Sequence, residues 1–295
     1  MHLFDVHGKE WKTLFRVFVL GGLAVVLIAC GGGVMPDPTI VFPMPATVSA
    51  EVAVSPASHD IWRPLPATSW QIQLSGPVDP SVDAQVYDID LFDTPQQLID
   101  QLHAQGRKVI CYFSAGSWEN WRPDADRFPS EVLGRVLEGW LDEKWLDVRR
   151  LDLLDPLMQA RLDLAVQKGC DAVDPDNVDG YTNSPGFPLT ASTQLDYNRF
   201  LATEAHARGL AVGLKNDVDQ IPELVSSFDF AINEQCFEYD ECDTQTPFIQ
   251  ANKPVWNIEY GGQSKANTIC PKANTRNFDS LVKNLSLDAA RISCR

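Results

Sequence analysis

From Trp70 onward, short β-prone runs alternate with amphipathic helical stretches, and this alternation restricts the fold more than any other feature of the chain. The strand candidates are 70-WQIQLSG-76, 84-AQVYDIDLF-92, 108-KVICYFSAG-116, 171-DAVDPDN-177, 211-AVGLKN-216, 230-FAINEQC-236 and 254-PVWNIEY-260, with 290-ARISC-294 as an eighth. Helical patterns lie between them at 95–105, 156–168, 194–208 and 219–228. Gly106, Gly169 and Gly209 each follow a helical stretch and precede a strand, the place for a left-handed helix terminator. About eight strands in this alternation predict a single-domain (β/α)8 TIM barrel over residues 69–295. A doubly wound open sheet is the rival. No GxGxxG follows the first strand, and polar residues suited to chemistry recur at strand carboxyl ends, which fits a barrel better. The connection from Gly116 to Pro156 is long enough to form part of a cleft wall.

The amino terminus has a different character. Lys9, Lys12 and Arg16 precede the apolar run 17-VFVLGGLAVVLIA-29, which is short for a membrane span and has the layout of a secretory signal, although Asp5 and Glu10 are unusual there. The run closes on Leu27-Ile28-Ala29-Cys30, which resembles a bacterial lipobox, so residues 1–29 read as a lipoprotein signal and Cys30 as the lipidated first residue. Residues 30–68, rich in Pro, Gly and small residues, read as a tether. The expected location is the bacterial cell envelope, exported and lipid-anchored to a membrane. With Cys30 reserved for lipid, Cys111, Cys170, Cys236, Cys242, Cys270 and Cys294 form an even set that suits disulfides in an exported protein. Spacing makes Cys236 with Cys242 the easiest closure, and Cys270 with Cys294 could staple the last segment.

A formal net charge of −16 argues against nucleic acid, which is bound through clustered Lys and Arg. No GxSxG and no phosphate-binding glycine loop is present, so neither a serine nucleophile nor a nucleotide site is indicated. Acidic and other polar residues instead crowd the strand ends: Asp174, Asp176 and Asn177 on the fourth, Lys215, Asn216 and Asp217 on the fifth, Asn233, Glu234 and Gln235 on the sixth, Asn257, Glu259 and Tyr260 on the seventh. Asp174 and Asp176, two apart, share a face of an extended strand. Like charges at close range push one pKa up, the condition that a general acid needs. A calcium loop is disfavoured because Val178 occupies its third ligand position and Pro185 its twelfth. Trp118 and Trp121 read either as core residues or as sugar-stacking platforms. No metal or cofactor is expected.

These motifs together resemble glycoside hydrolase family 114, the endo-α-1,4-polygalactosaminidase-like barrels. The resemblance rests on 111-CYFSAGSWE-119, 169-GCDAVDPDNVDGY-181, 212-VGLKND-217, 231-AINEQCFEYDEC-242 and 255-VWNIEY-260. It implies a galactosamine-containing polysaccharide as substrate and a catalytic pair drawn from the DPDN and NEQC segments: Asp176, with Asp174 the less favoured neighbour, and Glu234. Tyr112, Trp118, Lys215, Asn233 and Glu259 are the expected substrate binders, and a monomer is expected. The alternatives are a catalytically silent carbohydrate-binding lipoprotein and a glycosidase of the same fold acting on another exopolysaccharide. For the anchor, Cys30→Ser is expected to abolish metabolic labelling of the protein with lipid; label that persists in the variant would rule the lipobox out.

Overall fold

Alternation in burial explains why the strands close into a barrel. In a computed structural model, which describes residues 61–295, eight parallel strands follow one another around the sheet: β1 (Trp70–Gln73), β2 (Val86–Asp90), β3 (Lys108–Ser114), β7 (Ala172–Asp176), β8 (Ala211–Lys215), β9 (Phe230–Glu234), β10 (Val255–Tyr260) and β11 (Asp279–Lys283). The signal, Cys30 and the tether up to residue 60 lie outside the described residues. One residue set of each strand points into the barrel and packs on itself: Trp70, Ile72, Val86, Ile110, Phe230 and Trp256 belong to this interior, and Trp256 stacks on Trp70 with ring centroids 5.7 Å apart. The other set, including Tyr87, Val109, Phe113, Val173 and Val212, packs outward against the helices. Both faces of the strands are buried, as a parallel barrel requires.

The helices that cover this outer face are α1 (Gln96–Ala104), α2 (Leu151–Lys168), α3 (Ala191–Ala207) and α6 (Gln263–Thr275), with two short turns, α4 (Ile221–Leu224) and α5 (Thr246–Gln250). Three helices run into the expected left-handed glycines, Gly106, Gly169 and Gly209, with φ of 76°, 78° and 77°. α2 starts five residues earlier than the sequence pattern suggests, because Pro156 is exposed inside the helix and the carbonyl it leaves unpaired can face water. The pattern at 219–228 yields only the single turn α4 after a 3-10 turn at 218–220.

The carboxyl-terminal part departs most from the sequence reading. The eighth parallel strand is β11, not 290–294; that segment supplies β12 (Arg291–Ser293), which runs antiparallel on β11. β11 was hidden because its run DSLVK has only two apolar side chains, while its end residues Asp279 and Lys283 are buried through polar contacts: Asp279 accepts from Ala67 N at 2.9 Å and Lys283 Nζ donates to the Asp288 carbonyl at 2.6 Å. α6 was equally hidden, since it buries only the narrow stripe Ala266, Ile269 and Ala273. The barrel's two sheet ends meet where Leu287 O accepts from Leu74 N and Arg291 donates to the Trp70 carbonyl. The boundary at residue 68 also moves: Ile61 and Trp62, assigned to the tether, pack under the barrel, Trp62 stacking on Trp256 at 6.3 Å.

The long connection after β3 is a three-stranded antiparallel sheet, β4 (Ser117–Glu119), β6 (Trp140–Leu146) and β5 (Leu133–Leu137) in spatial order, standing over the strand carboxyl ends. Arg122 ties it to the barrel, donating to both Asp90 oxygens at 2.9 and 2.7 Å and to Glu119 at 2.7 Å. Three disulfides complete the unit: Cys236–Cys242 and Cys270–Cys294, as spacing suggested, and Cys111–Cys170, which joins β3 to the lead-in of β7. The last bridges a separation of 59 residues, so removing it releases a long loop in the unfolded chain. The double substitution Cys111→Ala and Cys170→Ala is expected to lower unfolding free energy by about 4 kcal/mol, read from urea denaturation with activity retained in the folded fraction.

Candidate active site

At the carboxyl ends of the strands the inward residue set changes from apolar to charged. β2 ends its inward series with Asp88 and Asp90, β3 with Tyr112 and Ser114, β7 with Asp174 and Asp176, β8 with Lys215, β9 with Glu234 and β10 with Tyr260. The period of two along each strand decides which residues can meet here.

Lys215 is the centre of the group. Its side chain is 2% exposed, and Nζ stands 3.2 Å from Asp176 Oδ2, 3.9 Å from Asp174 Oδ2 and 3.9 Å from Glu234 Oε2. Burial opposes the charge on this lysine, but the three carboxylates outweigh it and hold its pKa well above the usual range. Nζ also lies 5.4 Å from the centre of the Tyr112 ring, a cation–π contact. Asp176 receives donors from three directions: Lys215, Tyr112 OH at 2.8 Å and Asn177 N at 2.7 Å. Glu234 accepts from Tyr260 OH, and its backbone N donates to Asn216 Oδ1 at 2.9 Å.

Depth separates the carboxylates. Asp176 and Glu234 keep 17% and 26% of their side-chain surface exposed, whereas Asp174 is 0% exposed. Burial, opposed by Lys215, pushes the Asp174 carboxyl above the usual carboxylate range. The local backbone accounts for the presentation of the outer pair. The β7–β8 ladder stops at Val173, before Pro175, which has no N–H to give, while β7 stays paired to β3 through Asp176. Each strand then leaves the barrel through a left-handed residue: Asn177 after β7, Asn216 and Asp217 after β8, and Gln235 after β9, with φ between 44° and 63°. Gly116 lies so close to this turn that a Cβ there would fall 1.6 Å from the Asn177 carbonyl oxygen. Asn177 Nδ2 in turn donates to Ser114 Oγ at 2.8 Å, and Ser117 Oγ donates to Glu143 Oε2 at 2.9 Å, linking the wall sheet to the end of β7.

Of the residues expected from sequence, Asp174, Asp176, Glu234, Tyr112 and Lys215 are thus brought together. Asn233, Glu259 and Trp118 are not. Asn233 and Glu259 have the opposite parity to Glu234 and Tyr260 and face out of the barrel: Glu259 accepts from Phe237 N at 2.9 Å and lies 3.6 Å from Lys265 Nζ. Trp118 lies across the wall sheet from the Ser117 side, donating Nε1 to the Ala125 carbonyl at 3.0 Å with Lys144 over its ring, which matches its core reading. Tyr260, which the sequence places among the strand-end residues without a role, joins the cluster, as does Asp88, which the sequence reading missed although Asp88 and Asp90 repeat the same-face spacing of Asp174 and Asp176.

Beside Glu234 opens a cavity of about 440 Å³, lined by Asp179, Asp217, Asp219, Glu241, Tyr181 and Tyr239 among others, without a Lys or Arg. Burial, reinforced by Asp179, raises Asp217 to about 8, although Asn198 Nδ2 donates to it at 2.8 Å. Burial likewise lifts Asp179 to about 6 and Glu143 to about 7. Because the folded values exceed the ordinary carboxylate value of 3.8 for Asp217, the native state holds more protons than the unfolded chain between about pH 4 and 8. That contribution to stability is complete below pH 4 and is lost as pH rises through 8. Asp217→Asn, which keeps an acceptor for Asn198, is expected to gain more than about 1 kcal/mol over the parent at pH 8 and little at pH 4, measured by urea unfolding at both values.

Comparison with known proteins agrees with this geometry. The profile of glycoside hydrolase family GH114 matches residues 51–295. Among solved structures, Aspergillus fumigatus Ega3, determined in complex with galactosamine, shares 45% identity over 80% of this chain and 98% of its own, with a TM-score of 0.77. The glycoside hydrolase domain of PelA from Pseudomonas aeruginosa shares 13% identity over 76% of this chain and 98% of its own, with a TM-score of 0.62, a likeness of fold. No curated protein sequence matches the chain. A (β/α)8 barrel whose mouth presents paired carboxylates, matched over most of its length by that family's profile, belongs to glycoside hydrolase family GH114 and is a glycoside hydrolase.

Proposed function

We propose that the protein is an exported endo-glycosidase that hydrolyses α-1,4-linked galactosamine-containing polysaccharide, with Asp176 as nucleophile and Glu234 as acid/base. The observation that carries the assignment is the pair of solvent-reaching carboxylates held by one buried ammonium. Asp174 is sealed beneath them and cannot touch a sugar, so its part is to tune the charge around Lys215. Since Lys215 Nζ reaches one carboxylate at 3.2 Å and the other at 3.9 Å, the two contacting oxygens are no more than about 7 Å apart. That bound is compatible with the spacing of about 5–5.5 Å used for direct attack, the retaining case, which is the mechanism proposed.

In the first step Glu234 gives its proton to the glycosidic oxygen as that bond to the anomeric carbon breaks, and Asp176 forms a bond to the same carbon. In the second, Glu234 takes a proton from water, whose oxygen displaces Asp176. Tyr260 orients Glu234, while Tyr112 and Asn177 fix the attacking carboxylate. The substrate class is supported by the galactosamine seen in Ega3 and by the acidic cavity next to Glu234, which suits a cationic amino sugar. Export and lipid anchoring rest on the signal-like amino terminus and Cys30.

Asp176→Asn and Glu234→Gln are each expected to lower kcat by about 10²–10⁴-fold on an α-1,4-galactosamine polymer while the fold persists, followed by release of reducing ends. Release at the parental rate by either variant would refute the assignment of that residue. Cleavage confined to a different hexosamine polymer would refute the substrate.

A further inference from the structure

Asp88 is a buried carboxyl of the barrel mouth that the reaction above leaves without a part. It projects inward from β2 and is 0% exposed, as is Asp174 on β7. Among the described residues, no N–H or O–H donor reaches any of the four oxygens of these two side chains. With no other donor in reach, the hydrogen bond left to these two inward-facing carboxyls is one to each other. Two acceptors can form that bond only around a proton, and two adjoining carboxylates in a dry interior cannot both ionise.

The surroundings decide which of the two carries it. Asp88 is faced by Asp174 and Asp176 from β7 and by Lys215 from β8. Its register partners Ile72 on β1 and Ile110 on β3 bring no charge. Lys215 makes its close contact with Asp174, at 3.9 Å, which favours the anion there, while burial pushes Asp88 towards its neutral form. We propose that Asp88 is a positioning residue: it keeps one proton and donates it to Asp174, so that Asp174 remains the anionic foot on which Lys215 stands beneath Asp176 and Glu234. The proposal rests on the reading that the outer pair carries the reaction. Without the donor, Asp174 takes up a proton of its own more readily, Lys215 loses a counter-ion and the outer pair loses its alignment. Substrate does not touch Asp174, so binding is left nearly as it was.

The test uses the full chain and the variants Asp88→Asn, an amide that still donates but cannot ionise, and Asp88→Ala. In infrared spectra at neutral pH, the parent-minus-Asn difference is expected to show a protonated-carboxyl band lost in the variant. In kinetics across pH, Asp88→Asn is expected to keep kcat within about threefold of the parent. Asp88→Ala is expected to lose at least about tenfold in kcat at neutral pH with KM within about threefold, its acid limb displaced upward by about one pH unit. Absence of the band, an equal loss in both variants, or a parental pH profile in Asp88→Ala would each overturn the proposal. If the alanine variant does not fold, the band and the asparagine kinetics decide. The infrared result is independent of which polymer is cleaved, so its failure is distinguishable from failure of the proposed function.

Discussion

The mouth of this barrel depends on one buried ammonium. Lys215 stands within 4 Å of three carboxylates, and without it those groups would face one another at short range with little water between them. At an effective dielectric of about 20, one contact of ~4 Å between unit charges amounts to about 4 kcal/mol, so the sign of the central charge decides whether the cluster attracts or repels itself. Desolvating that many charges is costly, and the arrangement is sustained because Tyr112, Asn177 and Tyr260 supply further donors to the outer carboxylates. Such a site is preorganised around its charge before any sugar arrives.

The barrel supplies the vertical order that makes the cluster useful. Bulky apolar side chains fill its lower interior, and most of the inward polar residues lie at the open end. Within those layers the deeper carboxyls govern charge and the shallower ones meet solvent. The wall sheet adds a side. It is held by Arg122 to Asp90 and by the serine–asparagine chain to the end of β7, so the long insertion is part of the site's framework.

Much of this was legible in the sequence, and the exceptions have physical causes. β7 announced itself because Asp174 and Asp176 share a face, and the same arithmetic applied to β9 and β10 separates Asn233 from Glu234 and Glu259 from Tyr260: neighbours in sequence cannot both enter the barrel. Asp88 carried the same signal on β2, but its meaning depends on Asp174 lying across the sheet, a contact between residues 86 positions apart. β11 and α6 were obscure because burial there is achieved with polar side chains and a thin apolar stripe, so hydrophobic periodicity has little to register. The Cys111–Cys170 bridge likewise follows from the pairing of β3 with β7, which spacing along the chain does not encode.

The Cys236–Cys242 bridge begins two residues after Glu234 and encloses part of the cavity wall, with Tyr239 and Glu241 inside the ring and Gln235 at its threshold. A covalent ring of this kind can exchange the side chains it displays while its two ends remain fixed relative to the strand that carries Glu234. The cavity wall and the strand that holds Glu234 are therefore mechanically decoupled at this edge of the barrel: the ring is a cassette whose displayed side chains can change without moving the carboxylate beside it.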